Sequence, residues 1–211
     1  MKLLSLLLIF SIIASTSFAG TIFLRPDGDV FYPYGTESGL YSHWSGVGGT
    51  IGTDGHTAPG YLWSAVDEAS VDTTDYIYEL AVDPAHMNPA HTLSFQNLNS
   101  GLIINRINSV TLHYYARDGY GLNQYLQVAL VALGGNWPNY YGQTDFSLDP
   151  HGNWGAYSVV YATNPITGQR WTRSDVNNLQ TEFAGNWWWT GGAQVAQVYA
   201  TVDICNNPFR C

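Results

Sequence analysis

Two stretches of this chain alternate apolar and polar residues so strictly that they leave little room for anything but β-structure. Over 109–117, Val110, Leu112, Tyr114 and Ala116 alternate with Thr111, His113, Tyr115 and Arg117. Over 197–204, Val198, Ala200, Val202 and Ile204 alternate with Gln197, Tyr199, Thr201 and Asp203. Successive side chains of a strand point to opposite faces, so each stretch reads as an antiparallel strand with one buried side. Asp75 to Val82 behaves similarly, and Gln124 to Leu133 is apolar on both faces, as a central strand is. Further strands are expected at 21–25, 91–97, 155–163 and 185–190. Turn signals separate them: Pro26-Asp27-Gly28, Asp54-Gly55, Asp118-Gly119 and Gly134-Gly135-Asn136. One short α-helix is expected near 173–181, where Thr172 supplies an N-cap, Asp175 stands at N3, and Val176 with Leu179 forms an apolar stripe. Together these elements predict an all-β, antiparallel β-sandwich of jelly-roll type. No linker or repeat interrupts 20–204, which reads as a single domain.

Ahead of that domain, Met1-Lys2 gives a positive start, Leu3 to Ile13 an apolar run, and Ser17-Phe18-Ala19 small residues flanking a cleavage position. This pattern predicts a signal peptide over 1–19, with Gly20 as the new N-terminus. The apolar run is too short to cross a bilayer core of ~30 Å as a helix. The expected setting is secreted or extracellular, with cell-surface attachment a variant, and without membrane insertion.

Lys2 is the lone lysine, so the chain after residue 19 carries six arginines against sixteen carboxylates, a formal charge of −10. Nucleic-acid binding depends on clustered Lys and Arg, and such a surface repels phosphate. Anionic membranes are disfavoured for the same reason. Schiff-base and lysine-base chemistry are excluded. Cys205 and Cys211 stand within the last seven residues, and in an oxidising compartment they are expected to close a disulfide ring in a C-terminal tail over 205–211. A covalent link between subunits is the alternative.

Three segments, Leu24-Arg25-Pro26-Asp27-Gly28-Asp29, Val66-Asp67-Glu68 leading to Asp72-Thr73-Thr74-Asp75-Tyr76-Ile77, and Asn164 to Thr172, form a pattern that spans most of the domain in order. The pattern resembles that of uncharacterised jelly-roll-like proteins of prokaryotic and phage genomes. The resemblance implies a sandwich fold and adds nothing on activity, none being established for that group.

Several groupings bear on chemistry. Asp67, Glu68, Asp72 and Asp75 place four carboxylates within nine residues, oxygen donors of the kind calcium takes. The alternative is a solvated turn whose Asp and Thr side chains cap local backbone groups. His86 and His91 lack a third ligand at metal spacing, and the histidines read as surface or turn residues. No Gly-x-Ser-x-Gly elbow is present. For glycoside cleavage, which needs two carboxyl groups across a cleft, Glu79 and Glu182 are the candidate pair. Trp137, Tyr140 and Tyr141 read as one Gly/Asn/Pro-bounded loop and Trp154 as another, and together they offer ring surfaces for a sugar or a protein partner. Trp63, Trp171 and Tyr114 read as core.

These readings order the functions. First stands a non-catalytic structural or adhesive extracellular protein, in a cell envelope, matrix or appendage, with self-association open to it. Second stands a carbohydrate-binding module using Trp137, Tyr140, Tyr141 and Trp154. Third stands a small glycan hydrolase or lyase. The partner is an extracellular protein or glycan, and no cofactor beyond calcium is implied.

Overall fold

A computed structural model describes residues 19–30, 44–47, 66–79, 91–119, 121, 124–134, 137–185 and 192–206. Eleven strands are described: β1 (Ala19–Leu24), β2 (Pro26–Asp29), β3 (Trp44–Val47), β4 (Tyr76–Glu79), β5 (His91–Phe95), β6 (Arg106–Asp118), β7 (Tyr125–Gly134), β8 (Trp137–Ser147), β9 (Gly155–Tyr161), β10 (Gln180–Ala184) and β11 (Ala193–Cys205). One helix, α1 (Arg173–Asn177), precedes β10.

The strands form two antiparallel sheets. The six-stranded sheet runs β3-β4-β11-β6-β9, with β1 also paired to β11. The five-stranded sheet runs β2-β5-β10-β7-β8. Among the described strands, the β3–β4 and β7–β8 steps stay within one sheet, and the other steps cross to the opposite layer. This winding is that of a jelly-roll sandwich.

Alternation along the two longest strands builds the core. Val110, Leu112, Tyr114 and Ala116 of β6, with Val198, Ala200, Val202 and Ile204 of β11, are all buried. They face Leu93 and Phe95 of β5, Leu126, Val128 and Leu130 of β7, and Phe183 of β10 in a single cluster. A buried polar bridge ties the layers: Tyr114 Oη and Thr181 Oγ1 lie 2.6 Å apart, and Thr181 Oγ1 donates to the Ala129 carbonyl at 3.0 Å. Trp171 is also core, its indole N–H donating to the Tyr161 carbonyl at 2.8 Å. Trp63 lies outside the described residues.

The capping box at Thr172 and Asp175 forms as expected. The helix is shorter than expected, because Asn178 caps it and the chain then enters β10. That strand runs down the middle of its sheet, held by β5 on one side and β7 on the other, so tertiary pairing overrides a helical continuation. The strand expected at 185–190 falls almost wholly outside the described residues. Two further differences concern expected turns and loops. Pro26-Asp27-Gly28 is not a turn but an edge strand with a bulge, a place where a residue lacking an N–H is tolerated. Trp137, Tyr140 and Tyr141 are not in a loop but on β8, paired to β7.

Candidate functional site

The outward side of the six-stranded sheet is built by the polar halves of the same alternating strands. Register defines four rows across it. Phe23, Thr201, Thr111 and Val160 form the first; Tyr199, His113 and Ser158 the second; Gln197, Tyr115 and Ala156 the third; Tyr78, Gln194 and Arg117 the fourth.

Ring contacts gather these rows into two aromatic clusters on one face. His113 and Tyr199 stack at 4.3 Å between centroids with planes 7° apart. Burial lowers the His113 pKa, so its ring is neutral near pH 7, and its Nε2 lies 2.9 Å from Thr201 Oγ1. Phe23 lies 6.0 Å from Tyr199 and is 57% exposed. Trp154, on the approach to β9, lies parallel to Tyr115 at 5.7 Å and edge-on to Tyr76 at 5.9 Å. Arg117 places its guanidinium 4.6 Å from the Trp154 centroid and 5.7 Å from that of Tyr76, and its Nε donates to Gln194 Oε1 at 2.7 Å. Arg25 stands 5.1 Å from the Tyr199 centroid. Such cation–ring contacts hold flat groups in fixed orientation.

An acidic loop borders this face. Strands β4 and β1 dock end to end along one edge of β11, leaving a gap near Val198. The segment from Val66 fills it: Val198 N–H donates to the Val66 carbonyl at 2.8 Å, and Gln197 Nε2 to the Glu68 carbonyl at 2.8 Å. Arg25 grips the same loop, donating to the carbonyls of Glu68 and Ala69 at 2.6 and 3.3 Å. Partial burial raises the Glu68 pKa to about 7, and the charges of Asp75, Asp67 and Asp72 push the same way. Burial also raises Asp67 and Asp75. Asp72 is held low by hydrogen bonds from the Thr74 side chain and backbone. Glu68 Oε2 and Asp75 Oδ1 are buried without a hydrogen-bond partner. Among the described residues no three His, Cys, Asp or Glu side chains gather as a metal cage would. The four carboxylates expected as calcium ligands thus share a loop and a field.

The remaining expected residues fall elsewhere. Glu79 ends β4 in the six-stranded sheet, whereas Glu182 sits mid-strand in the other. Thr181 and Phe183 face the interior, so Glu182 points outward, away from the sheet that carries Glu79. The fold does not bring this pair together across a cleft. Glu182 is only 7% exposed, accepts from Thr92 Oγ1 at 3.0 Å, and is hydrogen-bonded to Tyr140. Burial raises its pKa to about 7, against the pull of those two bonds.

The four expected stacking aromatics are also divided. Trp154 belongs to the face of the six-stranded sheet, while Trp137, Tyr140 and Tyr141 lie on β8 of the other. Adjacent strand residues alternate, so Tyr140 reaches Glu182 on the outer side while Tyr141 packs against the core. His91 is not a surface residue: its Nε2 lies 2.9 Å from Asp29 Oδ1, with both side chains buried. Cys205 closes β11, and Cys211 lies outside the described residues. Sequence reading missed Phe23, Tyr76, His113, Tyr115, Arg117 and Tyr199 as site residues. Their signal was the presence of aromatic rings at the solvent-facing positions of well-alternating strands.

No family model matches the chain, and no curated protein matches it. Solved structures similar to it include a carbohydrate-binding module of Cellvibrio mixtus lichenase 5A in complex with cellotriose, at 12% identity and TM-score 0.33, covering 64% of this chain and 83% of that one. Another is the apo form of BiXyn10A CBM1, at 11% identity and TM-score 0.33, covering 85% and 98%. Likenesses this distant carry no functional inference. No helix among the described residues is long and apolar enough to cross a membrane.

Proposed function

We propose that this chain is a secreted, non-catalytic glycan-binding sandwich that holds its ligand on the outward face of the six-stranded sheet. One observation carries the reading: Phe23, Tyr199 and His113 form one ring cluster on that face and Tyr115, Trp154 and Tyr76 a second, interleaved with Thr111, Thr201, Ser158 and Gln194. Sugar rings offer C–H faces that pack on aromatics and hydroxyls that pair with short polar side chains, and both are supplied by a rigid strand scaffold. Hydrolysis is not proposed, because Glu79 and Glu182, the expected carboxylate pair, lie on different sheets.

A second reading, a structural or adhesive subunit, draws on the first row alone. Phe23 and Val160, at its two ends, are 57% and 62% exposed, which suits an apolar protein contact. A glycan screen with wild type and Trp154→Ala separates the two. The glycan reading expects a defined set of sugars bound by wild type and lost, by tenfold or more, in a folded variant. No bound sugar, together with self-association at micromolar concentration, would overturn it in favour of the second.

A further inference from the structure

Resting on that glycan reading, we propose that the aromatic face selects extended sugar chains that are uncharged or bear amino groups, and rejects chains of uronic acids. Length comes from the rows. From Thr111 to Arg117 the face follows six residue steps along β6, about 20 Å at ~3.4 Å per step. Ring clusters mark both ends, Phe23, Tyr199 and His113 at one and Tyr115, Trp154 and Tyr76 at the other. That is a track for several pyranose rings in sequence, not a socket for one.

Charge selection comes from what the cations already do. A bound uronate needs a cation free to pair with it, and the chain after residue 19 has no lysine and six arginines. Among the described residues, the arginines in contact with the rings of the face are committed: Arg117 to Gln194 and to two rings, Arg25 to two loop carbonyls and to Tyr199. His113 is stacked and joined to Thr201. Beside them runs the loop bearing Asp67, Glu68, Asp72 and Asp75, tied to the face through Gln197 and Arg25. Its field extends about 8 Å at physiological salt, enough to repel a carboxylate and attract an ammonium on the neighbouring face.

The test is calorimetric titration of the purified protein, at low salt and neutral pH, with three panels. One holds neutral glucans, xylan and mannan fragments, one glucosamine oligomers, and one alginate and polygalacturonate fragments, each from two to six units. The expected result is binding within the neutral or amino panels that tightens at least tenfold from two units to four, with uronates at least tenfold weaker. The double variant Glu68→Gln/Asp75→Asn is expected to narrow that gap severalfold while neutral chains bind as before. Uronates bound as tightly as neutral chains, or a gap untouched by the double variant, would overturn the charge selection and leave the glycan reading standing. Binding to none of the panels would overturn the glycan reading beneath it.

Discussion

Arg117 and Trp154 form a cross-element clasp: the guanidinium lies 4.6 Å from the indole centroid while its Nε is fixed by Gln194 at 2.7 Å. The strand side chain is thereby pre-set, and the loop residue is held against it. Arg117→Ala is expected to cost about 0.5–2 kcal/mol of stability. Arg117→Lys should recover only part of this, since an ammonium has no planar fork to meet Gln194 and the ring together. Urea unfolding with near-ultraviolet circular dichroism measures both the stability and the aromatic environment.

The inter-sheet bridge is a second point of sensitivity. Thr181→Val keeps the shape but deprives the fully buried Tyr114 hydroxyl of its 2.6 Å partner. An unsatisfied buried hydroxyl costs roughly 1–3 kcal/mol, while Tyr114→Phe, which leaves Thr181 bonded to Ala129, should cost less, near 1 kcal/mol. Reversal of that order in chemical denaturation would remove the bridge from the account.

Glu182 sets a pH dependence whose sign runs opposite to that of a salt-bridged carboxylate. Its pKa is raised by burial from 4.5 to about 7, so the folded state holds a proton that the unfolded state releases. Its contribution to stability is complete below pH 4.5 and is lost as pH rises through 7. The full swing is on the order of 3 kcal/mol. Glu68 acts in the same direction from a more exposed position. Melting temperatures from pH 4.5 to 8 should fall for wild type and flatten in Glu182→Gln, which cannot ionise. Equal slopes would show that Glu182 is not the group responsible.

Gly142 sits at the β8 irregularity with φ of +61°, and an added Cβ would stand 2.5 Å from the Tyr161 ring. The Tyr161 hydroxyl also donates to the Gly142 carbonyl at 2.8 Å. Gly142→Ala combines a left-handed backbone, which costs about 1–2 kcal/mol, with displacement of that ring. A thermal melt lowered by several degrees is the expected readout, with glycan binding on the opposite sheet retained.

Much of the fold was legible because β6 and β11 bury one side only, and half-buried strands write their period into the sequence. The capping box at Thr172 was legible for a similar reason, being a local hydrogen-bond pattern. The strand β10 was not, since every residue from Thr181 to Ala184 is buried and no alternation survives. Glu182, an acidic residue in the middle of that strand, disguised it further. At the site, Trp154 was found because a loop tryptophan stands out. Tyr115, His113 and Tyr199 were passed over because, on the polar side of a strand, they looked like ordinary solvent-facing residues. Their meeting depends on the pairing of β6 with β11, which no local pattern announces.

The central claim concerns which face binds. Calorimetry of one glycan that wild type binds, repeated with Phe23→Ala and Tyr140→Ala, tests it directly. Both side chains are well exposed, at 57% and 43%, and they stand on opposite sheets. The account predicts at least a tenfold loss for folded Phe23→Ala and an unchanged affinity for folded Tyr140→Ala. Loss in Tyr140→Ala with full affinity in Phe23→Ala would place the site on the other sheet and contradict the account.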